Sequence, residues 1–200
     1  VTQQTIHASF AERFPGAIIL PYERAWPTIA DSAFVAPGAV VIGNVQIGEE
    51  VSIWFNTTVR GDIAPISIGD RTNVQDGTLV HVNADAPVVI GEDVTVGHTA
   101  IIHGTTIGDR VLVGMGAIVM SYTSVGDDAV IAAGALISER TNVPAGAVMV
   151  GVPAKERSAL SEEQRGHLKG IHGRYVDVSQ IYKKELGELF QPGGSAQRGD

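Results

Sequence analysis

The sequence contains no cysteine. Disulfides are excluded, and so is any thiolate ligand, which leaves His, Asp and Glu for metal chemistry. Aromatic residues are scarce at 6%, which argues against a core built on large rings. Positive charge is also short: 14 Lys and Arg stand against 22 Asp and Glu, a formal charge of -8. Nucleic acid and anionic membrane surfaces require basic patches, so neither is an expected partner. No apolar run is long enough to span a bilayer. Val1 to Phe14 has neither a basic start nor a long apolar stretch, so no secretory signal is expected in it and the chain reads as cytoplasmic.

What the chain has in abundance is glycine, 24 of 200 residues, against an average of about 7%. It also has a repeat. An aliphatic residue recurs every six positions at Ile29, Val35, Val41, Ile47, Ile53 and Val59, then at Ile68, Val74 and Val80, then at Ile90, Val96 and Ile102. From Ile107 the six-step runs on through Val113, Val119, Val125, Ile131, Ile137, Val143 and Met149. Glycine often follows the aliphatic, as in Ile68-Gly69 and Val113-Gly114. Neither a helix, with its period of 3.6, nor an amphipathic strand, with its period of 2, sustains a six-step. Three hexads make one triangular coil, so Ile29 to Met149 predicts about seven coils of a parallel β-helix, an all-β fold. The aliphatics point inward and stack, and the glycines serve corners.

The repeat is broken after Val59 by Arg60-Gly61-Asp62-Ile63-Ala64-Pro65 and after Val80 by His81-Val82-Asn83-Ala84-Asp85-Ala86-Pro87. Loops leave the prism at such places, and function tends to gather there. Beyond the repeat, Ser161-Glu162-Glu163-Gln164 signals a helix start. A helix from about Ser161 to Leu189 is predicted, with Leu168, Ile171, Tyr175, Val178, Ile181, Tyr182 and Leu186 as its apolar stripe. Gly166, Gly170 and Gly173 weaken it, so packing on the prism must hold it. The expected organisation is an extended segment or strand over 1–28, the β-helix over 29–154, the helix over 155–190 and a disordered tail over 191–200.

His81, His98 and His103 fall close together in the middle of the repeat. His81 follows Val80 and His103 follows Ile102, each closing its coil. The two should stand at one corner, backbones roughly 5 Å apart, and suit one Zn²⁺. His98 belongs to an earlier face of its coil. Five extended residues to His103 reach up to roughly 16 Å, so the spacing favours a site shared between subunits if all three bind one metal. The alternative is three unrelated polar residues on a β-helix surface.

Arg60-Gly61-Asp62, Asn73-Val74-Gln75-Asp76, His81, Gly97-His98 and His103-Gly104 together resemble, in order and spacing, the motifs of γ-class carbonic anhydrases. The resemblance spans about Ile18 to Tyr182. It implies a left-handed β-helix and a homotrimer with His81 and His103 binding zinc from one subunit and His98 from the next. A three-histidine zinc leaves a position for water, as catalytic zinc does, and lowers that water's pKa to about 7. The implied reaction is hydration of CO₂ to bicarbonate. By the same resemblance Gln75 orients the metal-bound water, Asn73 supports the site, and Arg60 and Asp62 form a salt bridge between subunits; an ordinary surface ion pair is the other reading of those two. Tyr175 is similar to a tyrosine that related short-loop members place near the metal; packing of a helix aromatic is the other reading.

The chain departs from the family's archetype in two places. Ile63 stands where a glutamate follows the Arg-Gly-Asp, and the short loop after His81 offers Asp85 as its only acid. Regenerating the nucleophile needs a proton relay, so an intact metal site is compatible with hydration that is slow or absent. Two rival functions share the prism: a coenzyme A-dependent acyltransferase, and a non-catalytic metal-bearing scaffold subunit. Fe²⁺ or Co²⁺ could take the place of Zn²⁺ at three histidines.

Overall fold

Each hexad folds as a short strand followed by a turn. The computed structural model describes residues 2–190, with backbone alone at 162, 164–170 and 172. The tail 191–200 and the side chain of Leu168 therefore lie outside the described residues.

Successive hexads build a left-handed β-helix of about seven coils with three sheet faces. On the first face, Val41, Val59, Val80, Ile102, Val119 and Ile137 pair in parallel register as successive rungs. On the second the rungs are Ile29, Ile47, Ile68, Ile90, Ile107, Val125 and Val143. On the third they are Val35, Ile53, Val74, Val96, Val113, Ile131 and Met149. These are the six-step residues of the sequence, all of them buried, and they form the core as three aliphatic ladders. Burial of each contributes roughly 1.5–3 kcal/mol.

Close stacking of the coils explains the glycines that follow the aliphatics. A Cβ on Gly114 would lie 2.4 Å from the backbone nitrogen of Ala133, nearer than any side chain can sit. The nine-residue step after Val59 is accommodated without leaving the sheet. Thr58–Ile68 is one continuous strand that turns from the first face to the second, and its register against Val40–Ile47 slips between Gly43 and Val45.

Both ends differ from expectation. The segment 1–28, expected to be extended, opens with helix α1 (Gln3–Arg13) before its strands Ile18–Leu20 and Thr28–Ile29. Thr2 caps the helix by accepting from the Thr5 N–H. Phe10 and Phe14 join the core cluster, while Arg13 donates to the carbonyls of Ile29 and Ala30 at 3.1 Å each. The helix thus plugs an open prism end, a tertiary role that leaves little periodicity in the sequence. At the other end, 155–159 is not helical. Ala154–Ala159 turns back as a strand antiparallel to Ala147–Gly151.

Helix α2 (Glu162–Leu189) follows and lies against the third face, at the strands Phe34–Val35, Ser52–Ile53 and Asn73–Val74. Aromatic rings hold it there. Trp54 meets Tyr175 edge-on at 5.8 Å and Tyr182 at 5.5 Å between centroids, and Phe34 lies 5.5 Å from Trp54. Ile181, expected on the apolar stripe, is 57% exposed. Among the described residues no helix is long and apolar enough to cross a membrane.

Candidate metal centre

On the first face each strand carries two outward side chains either side of its inward rung. The outer column at the strand end aligns Ile42, Arg60, His81 and His103 across neighbouring strands. Parallel register alone brings the two histidines together. His81 Nδ1 and His103 Nε2 face one another at 3.1 Å. Two nitrogens bound to one tetrahedral Zn²⁺ at 2.0–2.1 Å lie about 3.3 Å apart, so the pair fits an edge of such a site with a shift of a few tenths of an ångström.

The far nitrogen of each ring is also held. His81 Nε2 lies 3.0 Å from Asp62 Oδ1, and Asp62 is paired with Arg60. His103 Nδ1 lies 2.8 Å from Ser121 Oγ. Carboxylate and hydroxyl partners of this kind fix the tautomer and orientation of metal-binding imidazoles. Burial tends to raise the Asp62 pKa, but hydrogen bonds from His81, Arg60 and the Ile63 backbone outweigh it and hold the carboxyl below its ordinary value. Burial, followed by the charges of His81 and Arg60, depresses His103 below its ordinary value. A less basic ring stays neutral and keeps a lone pair for a cation.

His98 is elsewhere. It follows the strand Thr95–Val96 of the third face, where its Nδ1 lies 2.7 Å from Asp76 Oδ2. Gln75 and Asn73 are on this face too, buried. Gln75 Nε2 donates to Asn73 Oδ1 at 3.0 Å, and Asn73 Nδ2 donates to Thr95 Oγ1 at 2.9 Å. Gln75, His98 and Tyr175 line a cavity of about 370 Å³ between this face and α2. Tyr175 therefore both packs on Trp54 and borders the His98 cavity. Burial, then the nearby Asp76 carboxylate, raises its pKa.

The eight sequence-predicted site residues thus fall into two groups. Arg60, Asp62, His81 and His103 share one corner; Asn73, Gln75, His98 and Tyr175 share another face. Among the described residues no three His, Asp or Glu side chains of the protomer converge on a single cation position. Asp76, Ser121 and Asn83, which donates from Nδ2 to Ser121 Oγ at 3.0 Å, are site residues the sequence reading gave no role. The signal was present in the coil length. Asp76 precedes His98 by 22 residues, the same step that separates His81 from His103. Ser121 follows His103 by 18, the length of a regular three-hexad coil.

Comparison with known proteins agrees with this architecture. Residues 27–61 and 104–139 match the family described as bacterial transferase hexapeptide (six repeats). A hexapeptide transferase family protein of Anaplasma phagocytophilum has a solved structure that superposes with a TM-score of 0.80 at 38% identity, over 82% of this chain and 98% of that one. A carbonic anhydrase of Geobacillus kaustophilus is 45% identical over 166 residues, 83% of this chain and 91% of its own. Gamma carbonic anhydrase 2, mitochondrial, of Arabidopsis thaliana is 42% identical over 82% of this chain and 62% of its own length. With its ladders, its paired histidines and these relatives together, the chain belongs to the γ-class carbonic anhydrase family of hexapeptide-repeat proteins.

Proposed function

We propose that this protein catalyses the reversible hydration of carbon dioxide to bicarbonate at Zn²⁺ ions shared between the subunits of a homotrimer. His81 and His103 of one subunit and His98 of its neighbour hold each ion. The observation that carries this reading is the division of the ligands. A facing imidazole pair, braced at both outer nitrogens, has no third protein ligand among the described residues of its own protomer, while a third histidine, braced by Asp76, stands on another face. Cyclic symmetry brings two different faces of identical subunits together. The first face is suited to burial: beside the histidine column, Leu79 and Ile101 are 42% and 37% exposed in register with Ile118. An outward aliphatic column of this kind is a natural subunit contact.

The bound metal supplies Lewis acidity and a nucleophile at neutral pH. The chain's own residues do the rest. Asp62 and Ser121 hold the two rings in place, and Asp76 does the same for His98. Gln75 is fixed through its amide nitrogen, so its carbonyl oxygen is left as an acceptor that orients the attacking water. Proton export is the weak step. Asp85, the loop's acid, is exposed and accepts a hydrogen bond from the Tyr122 hydroxyl at 2.8 Å, and Ile63 beside Asp62 offers no relay.

The test is metal content and CO₂ hydration measured on the same protein. Metal-loaded trimer should hydrate CO₂ at a rate that rises with the concentration of an imidazole buffer, and Gln75→Ala should slow it. Metal-replete trimer no faster than its metal-free control at any buffer concentration would establish the scaffold role instead. Acyl transfer from an acyl-coenzyme A by metal-free protein would establish the transferase.

A further inference from the structure

Ser121 is 4% exposed, and its hydroxyl touches two polar partners. Asn83 donates to it at 3.0 Å, and His103 Nδ1 lies 2.8 Å away. Asn83 is presented by a short, braced loop. The Asn83 and Ala86 backbones exchange two hydrogen bonds of 3.1 Å. Asp85, between them, is pinned by the Tyr122 hydroxyl at 2.8 Å, and the Arg140 guanidinium lies over the Tyr122 ring at 4.6 Å. The insert that lengthens the coil after Val80 therefore aims one amide at one buried hydroxyl.

The directions of these bonds follow from what each group can do. A hydroxyl has one hydrogen and two lone pairs, and Asn83 occupies one lone pair. The Asp62 carboxylate only accepts, so in the neutral ring His81 Nε2 carries the hydrogen and His81 Nδ1 is an acceptor. His103 Nε2, facing it, must donate. His103 Nδ1 is then bare and takes the Ser121 hydrogen. Four hydrogen bonds run one way, from Asn83 through Ser121, His103 and His81 to Asp62.

A cation between the two imidazoles reverses part of this chain. His103 Nε2 must then give its lone pair, so the hydrogen of the neutral ring resides on Nδ1. Ser121 now has to accept there, through its second lone pair, while still accepting from Asn83. A carboxylate or carbonyl in its place could serve only the second state, an ammonium only the first and a methyl neither.

We infer that Ser121, oriented by Asn83, is the positioning residue of His103, and that its hydroxyl serves the ring both without metal and with it by reversing one hydrogen bond. The inference rests on the reading of His103 as a ligand.

Full-length Ser121→Ala, Ser121→Thr, Asn83→Ala and His103→Ala are compared with the parent for Zn²⁺ affinity by chelator competition and for the visible spectrum of bound Co²⁺. Ser121→Ala should lose about 10- to 100-fold in affinity, the usual cost of removing such a partner, with an altered Co²⁺ spectrum. Ser121→Thr should restore both, and Asn83→Ala should fall between. In metal-free parent, histidine ¹⁵N resonances should show His103 protonated at Nε2, a readout that needs no variant to fold. Parent-like affinity and spectrum in Ser121→Ala, while His103→Ala has lost metal, would overturn the inference and leave the ligand assignment standing. An Nδ1-protonated His103 in the metal-free parent would also overturn it. Metal retained by His103→Ala would remove the ligand reading itself and the inference with it.

Discussion

The proposed sharing of the metal between subunits predicts that two defective subunits repair one another. Consider His81→Ala and His98→Ala, each unable to complete a site in a trimer of its own kind. The first keeps the Asp76-braced His98 intact; the second keeps the His81–His103 pair with both braces. Co-expressed with different affinity tags and purified over both, they yield only trimers holding at least one of each. In a cyclic trimer of either mixed composition, one of the three interfaces joins an intact pair to an intact His98. The magnitude follows from that count: about one zinc per mixed trimer, against three for the parent and close to none for either variant alone. Metal is read by atomic emission on protein quantified by amino-acid analysis, with CO₂ hydration expected to follow at about a third of the parent rate. Mixed trimers with no more zinc than the single variants would refute the shared site. So would a full complement in either variant alone.

Three further outcomes are expected. Gly114→Ala should destabilise by about 2–3 kcal/mol in urea denaturation, because its Cβ meets the backbone of the neighbouring coil rather than a side chain that can move. Gly173→Ala on α2, where nothing lies within 4 Å of an added Cβ, should stabilise by up to about 1 kcal/mol in the same assay; a destabilised variant would show that the helix packs more tightly than described. Metal-free protein should lose stability as pH falls through 6.5, the ordinary His103 value. The folded ring has the lower pKa, so the unfolded chain binds more protons in that window and is favoured; urea midpoints that do not fall between pH 8 and pH 5, or that fall equally in His103→Gln, would contradict this.

The prism was legible because its core is one-dimensional. Each inward rung is a single aliphatic at a fixed step, so Val41, Val59, Val80 and Ile102 could be aligned from sequence before any contact was known. The His81–His103 pairing came from the same arithmetic. What stayed hidden depends on contacts that no period encodes. Helix α1 buries little beyond Phe10 and forms because an open prism end needs a plug. The strand Ala154–Ala159 is exposed from Lys155 onward on both of its sides, so no alternation marks it. Asn83 and Ser121 lie 38 residues apart and meet only because the loop after Val80 folds back across a coil. Asp76 is different: the coil step pointed to it, but its own motif drew attention to Gln75 instead.

Helix α2 faces late coils across the cavity at Tyr175 and Val113, but it reaches well beyond them. It returns to the first ones, where Lys183 donates to the carbonyl of Asp31, 152 residues earlier, at 2.7 Å, and Gln180 donates to that of Ser32 at 3.3 Å. A solenoid otherwise makes only neighbour-to-neighbour contacts and can fray one coil at a time from either end. Here α2 clasps the first coil, so the early coils cannot peel away without first releasing the helix, and stability measured at one end should report on the other. The same clasp sets a hazard during synthesis. The first coil can form as soon as its hexads emerge, but the carbonyls of Asp31 and Ser32 wait for residues made about 150 positions later, and until then they are open to any passing strand.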